Sequence, residues 1–342
     1  MVLTHTDHGL YCAAGDFFID PWQPVARAVI SHAHGDHARA GSAAYLCATP
    51  GESILRLRMG PEAHIETAAY GQTLRLNGVA VSFHPAGHIL GSAQVRVAHD
   101  GEVWVVSGDY KTEPDPTCAP FESVAADTFI TEATFGLPIY RWQPSAAVFD
   151  QINAWWRANQ TAGRTSVLFA YALGKAQRIL AGVDAAIGPI YVHGAVHRLN
   201  AAYRAAGVPL PHWRYAGDAP PDQDWSQALV IAPASTQGTP WLRRFGDVSA
   251  AFASGWMRVR GQRRRRSVDR GFVLSDHADW SGLLAVIAAT GAGRVLVTHG
   301  YTAVLARYLR ENGREAYEFN APYSGESLDE AANEGAPEAH EE

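Results

Sequence analysis

The stretch Ser31-His32-Ala33-His34-Gly35-Asp36-His37 organises the rest of the chain. It follows the apolar run Ala28-Val29-Ile30, which predicts a buried strand. His32 and His34 are two residues apart, so in extended backbone their rings leave the same side, whereas Asp36 and His37 follow a bend that glycine eases. The stretch can therefore serve two metal ions, and imidazole together with carboxylate suits Zn²⁺ or Mn²⁺. The alternative is a polar surface turn, which the density of the motif and its place after a strand disfavour.

Length and composition predict an ordinary globular protein of about two domains, with 342 residues, 47% hydrophobic and 18% charged. The cysteines are Cys12, Cys47 and Cys118, which form neither a CxxC site nor a disulfide framework. We therefore expect a reducing, cytoplasmic location. The N-terminal residues show no signal-peptide pattern, and no long apolar run predicts a membrane span or a membrane partner.

Charge is distributed unevenly. Residues 326–342 hold seven acids and no Lys or Arg, so the net charge of −6 becomes +1 without them. Their composition predicts a disordered acidic tail. The run Arg263 to Arg266 suits a nucleic-acid backbone, although a solvated turn is the alternative.

More side chains of ligand type follow short apolar runs elsewhere in the chain. They are Asp20, His88, Asp109, Glu132, His277 and His299. Asp20 is either a turn residue or the hydrogen-bond partner that fixes a ligand histidine in its tautomer. Residues 145–266 alternate strand and helix patterns without an obvious ligand set, which predicts a parallel α/β domain inserted into the first one.

These motifs, in this order, resemble the metallo-β-lactamase fold with an inserted β-CASP domain. The motifs are the H-x-H-x-D-H stretch, Gly87-His88, Ser107-Gly108-Asp109, Thr131-Glu132-Ala133-Thr134-Phe135-Gly136, Ser275-Asp276-His277, Thr298-His299-Gly300 and, for the insert, Phe169 to Gln177. The resemblance implies an α/β fold, an αββα sandwich with an α/β insert. It places the metallo-β-lactamase domain at 1–139 and 273–325, the β-CASP domain at 140–272 and the tail at 326–342.

The resemblance also implies roles for residues. His32, His34 and His88 would bind one ion, while Asp36, His37 and His299 would bind the other. Asp109 would bridge both ions, which are Zn or Mn. His277 would be a general acid that Glu132 orients, although a buried structural pair is the alternative. Asp36 is predicted to be catalytic as well, together with His277 and Glu132.

Substrate contacts are predicted in the insert. Lys175 at a helix start suits a phosphate, and Ser254, Trp256 and Arg258 have the chemistry to bind phosphate or stack on a base. Ordinary packing is the alternative for each of them.

Members of the resembled family are nucleases. The compact length most resembles the bacterial ligase-associated DNA exonucleases, which implies a DNA substrate, a role in DNA repair, and a DNA ligase and other repair proteins as partners. The presence of His299 favours RNA instead, because the eukaryotic DNA-repair members usually lack this histidine. The alternatives are therefore an RNA-processing nuclease, similar to the mRNA 3′-end processing endonuclease or ribonuclease J, and a catalytically silent nucleic-acid-binding partner.

Overall fold

The computed structural model describes residues 2–259, 261 and 268–319. It divides into two compact units, the first with residues up to Arg141 and from His277 onward, the second with Trp142–Asp276. The boundaries lie at 141/142 and 276/277, where the sequence predicted 139/140 and 272/273. The arginine run 263–266 and the predicted tail 326–342 lie outside the described residues.

The described strands, in chain order, are Thr4–His5 (β1), Leu10–Cys12 (β2), Phe17–Ile19 (β3), Arg27–Ile30 (β4), Ala44–Ala48 (β5), Ile65–Ala68 (β6), Thr73–Leu76 (β7), Val79–Pro85 (β8), Ala93–His99 (β9), Glu102–Val106 (β10), Thr128–Glu132 (β11), Thr165–Phe169 (β12), Ile190–Val192 (β13), Arg214–Tyr215 (β14), Leu229–Ala232 (β15), Val248–Ala253 (β16), Arg270–Phe272 (β17), Arg294–Thr298 (β18) and Glu315–Glu318 (β19). The described α-helices are Glu52–Met59 (α1), Ser145–Thr161 (α2), Lys175–Gly182 (α3), Gly194–Ala205 (α4), Trp280–Ala289 (α5) and Thr302–Glu311 (α6). Short 3₁₀ turns occupy Thr49–Gly51, Ala216–Asp218, Ala234–Thr236, Pro240–Phe245 and Gly255–Arg258.

The first unit contains two sheets. Their strand orders are β1-β2-β3-β4-β5-β6 and β19-β18-β11-β10-β9-β8-β7. The alternating pattern between residues 74 and 106 predicted antiparallel strands, and the antiparallel pairing of β7 with β8, β8 with β9 and β9 with β10 confirms it. In contrast, β10, β11 and β18 run parallel as neighbours, so their carboxyl ends meet at one edge.

Apolar side chains of the two sheets share one core. Val29 and Leu46 from the first sheet lie in the same cluster as Val81, Val95 and Ile130 from the second. A second cluster packs the other face of β10, β11 and β18 against α5 and α6, with Phe129 and Val295 beside Leu283 and Leu305. Burial of these faces stabilises the sheets by about 25 cal/mol per Å² of apolar surface, and it fixes the edge at which polar side chains emerge.

The second unit has a sheet with the order β14-β13-β15-β12-β16-β17, in which all described pairings are parallel. Trp155 and Trp156 of α2 pack on one face of it together with residues of α3. The sequence therefore predicted the parallel α/β character of this segment correctly. One element differs: the run from Phe272 to His277 predicted a strand, but β17 ends at Phe272, and Arg178 binds the Ser275 carbonyl just beyond it.

Among the described residues, no helix combines the length and the apolar character that a membrane span requires.

Candidate metal centre

The ligand-type side chains come from turns at the carboxyl ends of strands. The 31–37 stretch follows β4, Asp109 follows β10, and His299 follows β18. His88 lies in the loop between β8 and β9, whose Gly87 has a φ of 74°. A Cβ at Gly87 would lie 2.3 Å from the carbonyl oxygen of Lys111, so only glycine fits there. The sheet edge thus gathers residues that are far apart in sequence.

Three groups of these side chains have the composition and spacing to hold a metal ion. They are His32, His34, His88 and Asp109; Asp36, His37 and His299; and Asp109, Glu132 and His277. Within each group the ligand atoms lie within 4.8 Å of one another. Every one of these residues is buried except His34, which is partly exposed.

Asp109 lies between the first two groups. Its Oδ2 is 3.4 Å from Nε2 of His32, 3.8 Å from Nε2 of His88 and 3.7 Å from Nε2 of His37. Pairs of ring nitrogens also approach closely, with 3.1 Å between His88 Nε2 and His34 Nδ1, and 3.1 Å between His299 Nε2 and His37 Nε2. Two nitrogen ligands of one tetrahedral zinc ion lie about 3.3 Å apart, so these separations are of the right size.

Hydrogen bonds orient two of the histidines. His37 Nδ1 lies 2.8 Å from Oδ2 of Asp20, to which an imidazole N–H donates. Ser31 Oγ donates to the same oxygen at 2.5 Å and lies 3.1 Å from His32 Nδ1. Both contacts engage Nδ1, so Nε2 of His32 and of His37 is the ring nitrogen that faces Asp109. Asp20 thus makes a direct contact with a histidine of the candidate centre.

The pKa values of the buried groups are displaced in opposite directions. Burial lowers the pKa of His32 well below its usual value, and burial with the nearby His37 lowers the pKa of His299 to about 3. Burial acts against the charge of His37, but the carboxylates of Asp36 and Asp109 raise its pKa to about 10. Burial raises the pKa of Asp109 to about 8, and it opposes the effect of His37 and His299, which lower the pKa of Asp36 to about 2. The lowered pKa values keep His32 and His299 neutral, as metal ligands must be, whereas the raised pKa of His37 shows that the nearby carboxylates favour a positive charge at this place.

Two buried polar atoms fit the same interpretation. Among the described residues, nothing forms a hydrogen bond with His32 Nε2 or with Asp109 Oδ1. Leaving buried polar groups unsatisfied costs about 1–3 kcal/mol each. A divalent cation would satisfy both atoms, and imidazole with carboxylate is a donor set suited to Zn²⁺ or Mn²⁺. The residues present therefore fit a bound metal.

His277 and Glu132 form a buried pair beside this centre. Nδ1 of His277 lies 3.0 and 2.9 Å from the two carboxylate oxygens of Glu132. Glu132 Oε1 also accepts from the backbone N–H of Tyr110 at 2.7 Å. Burial alone would raise the pKa of Glu132, but the interaction with His277 lowers it. The His277 ring centroid is 4.6 Å from that of His88, so the pair borders a ligand of the candidate centre.

The four residues predicted to bind nucleic acid lie in the second unit. Lys175 is fully buried, and its Nζ pairs with Asp276 Oδ2 at 2.8 Å. Ser254 is also fully buried, and its Oγ accepts from the N–H of Trp256 at the start of a 3₁₀ turn. Trp256 is partly exposed and Arg258 is exposed. The binding roles of these four residues remain predictions. Exposure makes Arg258 a better candidate for contact with nucleic acid than the buried Lys175.

Sequence reasoning missed two residues next to the centre. Ser31 stands inside the motif, but only the fold shows that it connects Asp20 to His32. Arg58 lies on α1, and its Nε donates to the carbonyl of Ala33 at 2.7 Å. The hydroxyl next to a ligand histidine was a signal for Ser31, whereas nothing in the spacing identified Arg58.

Comparison with solved structures supports the mixed α/β architecture. A crystal structure of a protein of unknown function from Enterococcus faecalis matches with a TM-score of 0.59 over 87% of this chain and 80% of its own, at 11% identity. That likeness concerns the fold alone. No protein-family model matches the sequence.

Sequence relatives carry names of enzymes that act on nucleic acid. A probable DNA ligase from Opitutus terrae is 33% identical over 91% of this chain, which corresponds to 30% of the relative. The endoribonuclease Ysh1 of Eremothecium gossypii is 30% identical over 35% of this chain and 16% of its own length, and the ribonuclease TTHA0252 of Thermus thermophilus is 28% identical over 54% and 47%. The chain thus spans less than half the length of each of these relatives.

Proposed function

We propose that this chain is a metal-dependent phosphodiesterase of the metallo-β-lactamase fold with a β-CASP insert, acting as a DNA exonuclease in repair together with a DNA ligase. The observation that carries the proposal is the meeting of two buried ligand groups at Asp109. The relatives named as ribonucleases support hydrolysis of nucleic acid, and the one named a probable DNA ligase supports the link to ligation. A cytoplasmic location is part of the proposal, as the number and spacing of the cysteines predict.

In this proposal the metal ligands are those that the family resemblance implies, with His32, His34 and His88 for one ion, Asp36, His37 and His299 for the other, and Asp109 between them; the groups of potential ligands support this assignment. Two Zn²⁺ or Mn²⁺ ions, when bound, lower the pKa of water toward neutrality and stabilise the charge of a phosphate undergoing displacement. Asp20 and Ser31 keep the Nε2 atoms of His37 and His32 directed to the centre.

His277 supplies the proton that the departing oxygen needs. Glu132 accepts from Nδ1, so Nε2 is the ring atom that holds the transferable proton. Hydrolysis then balances: the oxygen of water bonds to phosphorus while that water gives one proton to solvent, the P–O ester bond breaks, the leaving oxygen takes the proton from His277, and solvent returns a proton to His277. The buried structural pair is the competing interpretation.

RNA is the second candidate substrate. The relatives named endoribonuclease and ribonuclease favour it, and so does the presence of His299 in the buried ligand group.

One assay separates the candidates. End-labelled DNA and RNA strands of the same sequence are incubated with the protein in Zn²⁺ and in Mn²⁺, beside chelated protein as a control. We expect metal-dependent release of short products from one end of DNA. Faster cleavage of RNA would replace the DNA exonuclease with an RNA-processing enzyme. Internal cuts would make the activity endonucleolytic instead. Absence of cleavage with either metal would contradict the proposed activity.

A further inference from the structure

The 31–37 stretch exposes part of the candidate centre to solvent. His34 is partly exposed and the neighbouring Gly35 is exposed, whereas the other ligand residues are buried. A polymer whose phosphate approaches His34 would contact this point of the 31–37 stretch.

Arg58 stands at that point. Its side chain is exposed, and its Nε donates to the carbonyl of Ala33, between His32 and His34. A Cβ at Gly35 would lie 3.0 Å from Nη1 of Arg58, so the guanidinium lies against the glycine. The hydrogen bond from Nε thus restrains the guanidinium beside Gly35, and the absence of a side chain at position 35 leaves room for it.

The two Nη atoms remain available. Within residues 2–259, 261 and 268–319, neither of them donates a hydrogen bond, and no carboxylate pairs with Arg58. Arg56 on the same helix differs, because its guanidinium is engaged by Glu52 and by the carbonyls of Pro61 and Ala63. A guanidinium held by Nε presents a planar pair of donors, the arrangement that binds phosphate oxygens in bidentate fashion.

We propose that Arg58 is a substrate-positioning residue that binds the phosphate next to the scissile one. This inference rests on the proposed nuclease function. This contact would not touch the reacting atoms. It would hold the strand in register over the candidate centre, and it would require a substrate with more than one phosphodiester.

The test compares Arg58→Gln and Arg58→Lys with wild type on a long single strand and on a dinucleotide with one phosphodiester. Arg75→Gln is the matched control, since Arg75 is exposed in the same unit and likewise has one backbone hydrogen bond, to Gly78. For Arg58→Gln we expect KM on the long strand to rise roughly tenfold with little change in kcat. The preference in kcat/KM for the long strand over the dinucleotide should fall by the same factor. The slope of log affinity against log salt should fall by about 0.7. Lys should restore the salt slope but only part of the KM, because it keeps the charge and loses the planar fork.

Several outcomes would overturn the proposal. An unchanged KM in Arg58→Gln would do so, as would an equal rise in Arg75→Gln. Equal loss of kcat on both substrates, with loss of bound metal, would make Arg58 a support of the ligand loop instead. Failure of the wild type to cleave the long strand would contradict the proposed nuclease function and remove this inference with it, whereas cleavage with unchanged KM contradicts the inference alone.

Discussion

Asp109 is the residue on which the two-group arrangement depends. Its Oδ2 approaches histidines of both groups, and burial raises its pKa to about 8, so it needs neighbouring positive charge to remain ionised. Asp109→Ala should therefore lower the metal content and abolish cleavage. Metal analysis after dialysis, together with the strand-cleavage assay, measures both quantities. A variant that kept full metal and full activity would show that the two groups do not share this carboxylate.

Substitution of His277 should have a different effect from substitution of Asp109. Its Nδ1 binds Glu132 and its ring borders His88, so removing it should spare the ligand sets. We expect His277→Ala to keep nearly all bound metal and to slow cleavage by about 10²–10⁴-fold. A substrate with a better leaving group, such as a p-nitrophenyl ester, should lose less, because its departing oxygen needs no proton. Loss of one equivalent of metal would instead make His277 a ligand.

Some residues of the site could be predicted from sequence and others could not. The density of the 31–37 stretch identified His32 to His37, because ligand types adjacent in sequence must be adjacent in space. His88 and His299 were placed only through the order of motifs. The left-handed backbone of Asp20 and His299, with φ of 42° and 58°, has no sequence signal, since it results from the surrounding loops.

At the scale of elements, the loop between β8 and β9 places His88 by close backbone approach. Gly87 has a φ of 74°, and an added Cβ would lie 2.3 Å from the carbonyl of Lys111, two residues beyond Asp109. Gly87→Ala should therefore displace the loop and reduce metal binding as well as stability. Gly78→Ala is the matched control, because Gly78 has a φ of 89° with nothing within 4 Å of the added Cβ. The control should cost only the strain of the left-handed backbone, about 1–2 kcal/mol, with full metal content. Equal metal content in both variants would contradict this role for the loop.

Helix and strand identity followed from periodicity wherever segments were long. The pattern of Asn200 to Ala206 predicts a helix from Asn200, but α4 begins at Gly194, and His193 caps it by accepting from the N–H of Ala195. A histidine is not a usual N-cap residue, so no sequence signal marks the start of this helix. The apolar run that predicts a strand up to His277 forms one only as far as Phe272, and Arg178 binds the Ser275 carbonyl beyond it.

At the scale of the whole molecule, charge separates the two units more sharply than the net value indicates. Residues 142–276 contain sixteen Lys and Arg against eight Asp and no Glu, a net of +8. Residues 1–141 and 277–325 contain twelve Lys and Arg against nineteen Asp and Glu, a net of −7. A polyanionic substrate would thus be attracted by the segment without the ligand groups, while the ligand-bearing segment would need bound cations to offset its charge. The difference in net charge between the two units can be calculated from the sequence only once the boundaries of the units are known.

The same division predicts how metal affects stability. Each unit has hydrophobic clusters of its own, and all seven predicted ligands belong to the first unit. A ligand that binds only the folded state stabilises it by about 2.7 kcal/mol when its concentration is 100 times its Kd. Calorimetry of the whole chain should therefore show two transitions, and chelation should lower the Tm of one while the other stays in place.

Tryptophan fluorescence follows the second unit through Trp155 and Trp156, which are buried in its core, so it should report mainly the transition that chelation does not shift. Asp109→Ala provides the control, because chelation should then shift neither transition. A single transition that chelation shifts as a whole would contradict independent unfolding, and two equal shifts would place a metal-dependent contribution in both units.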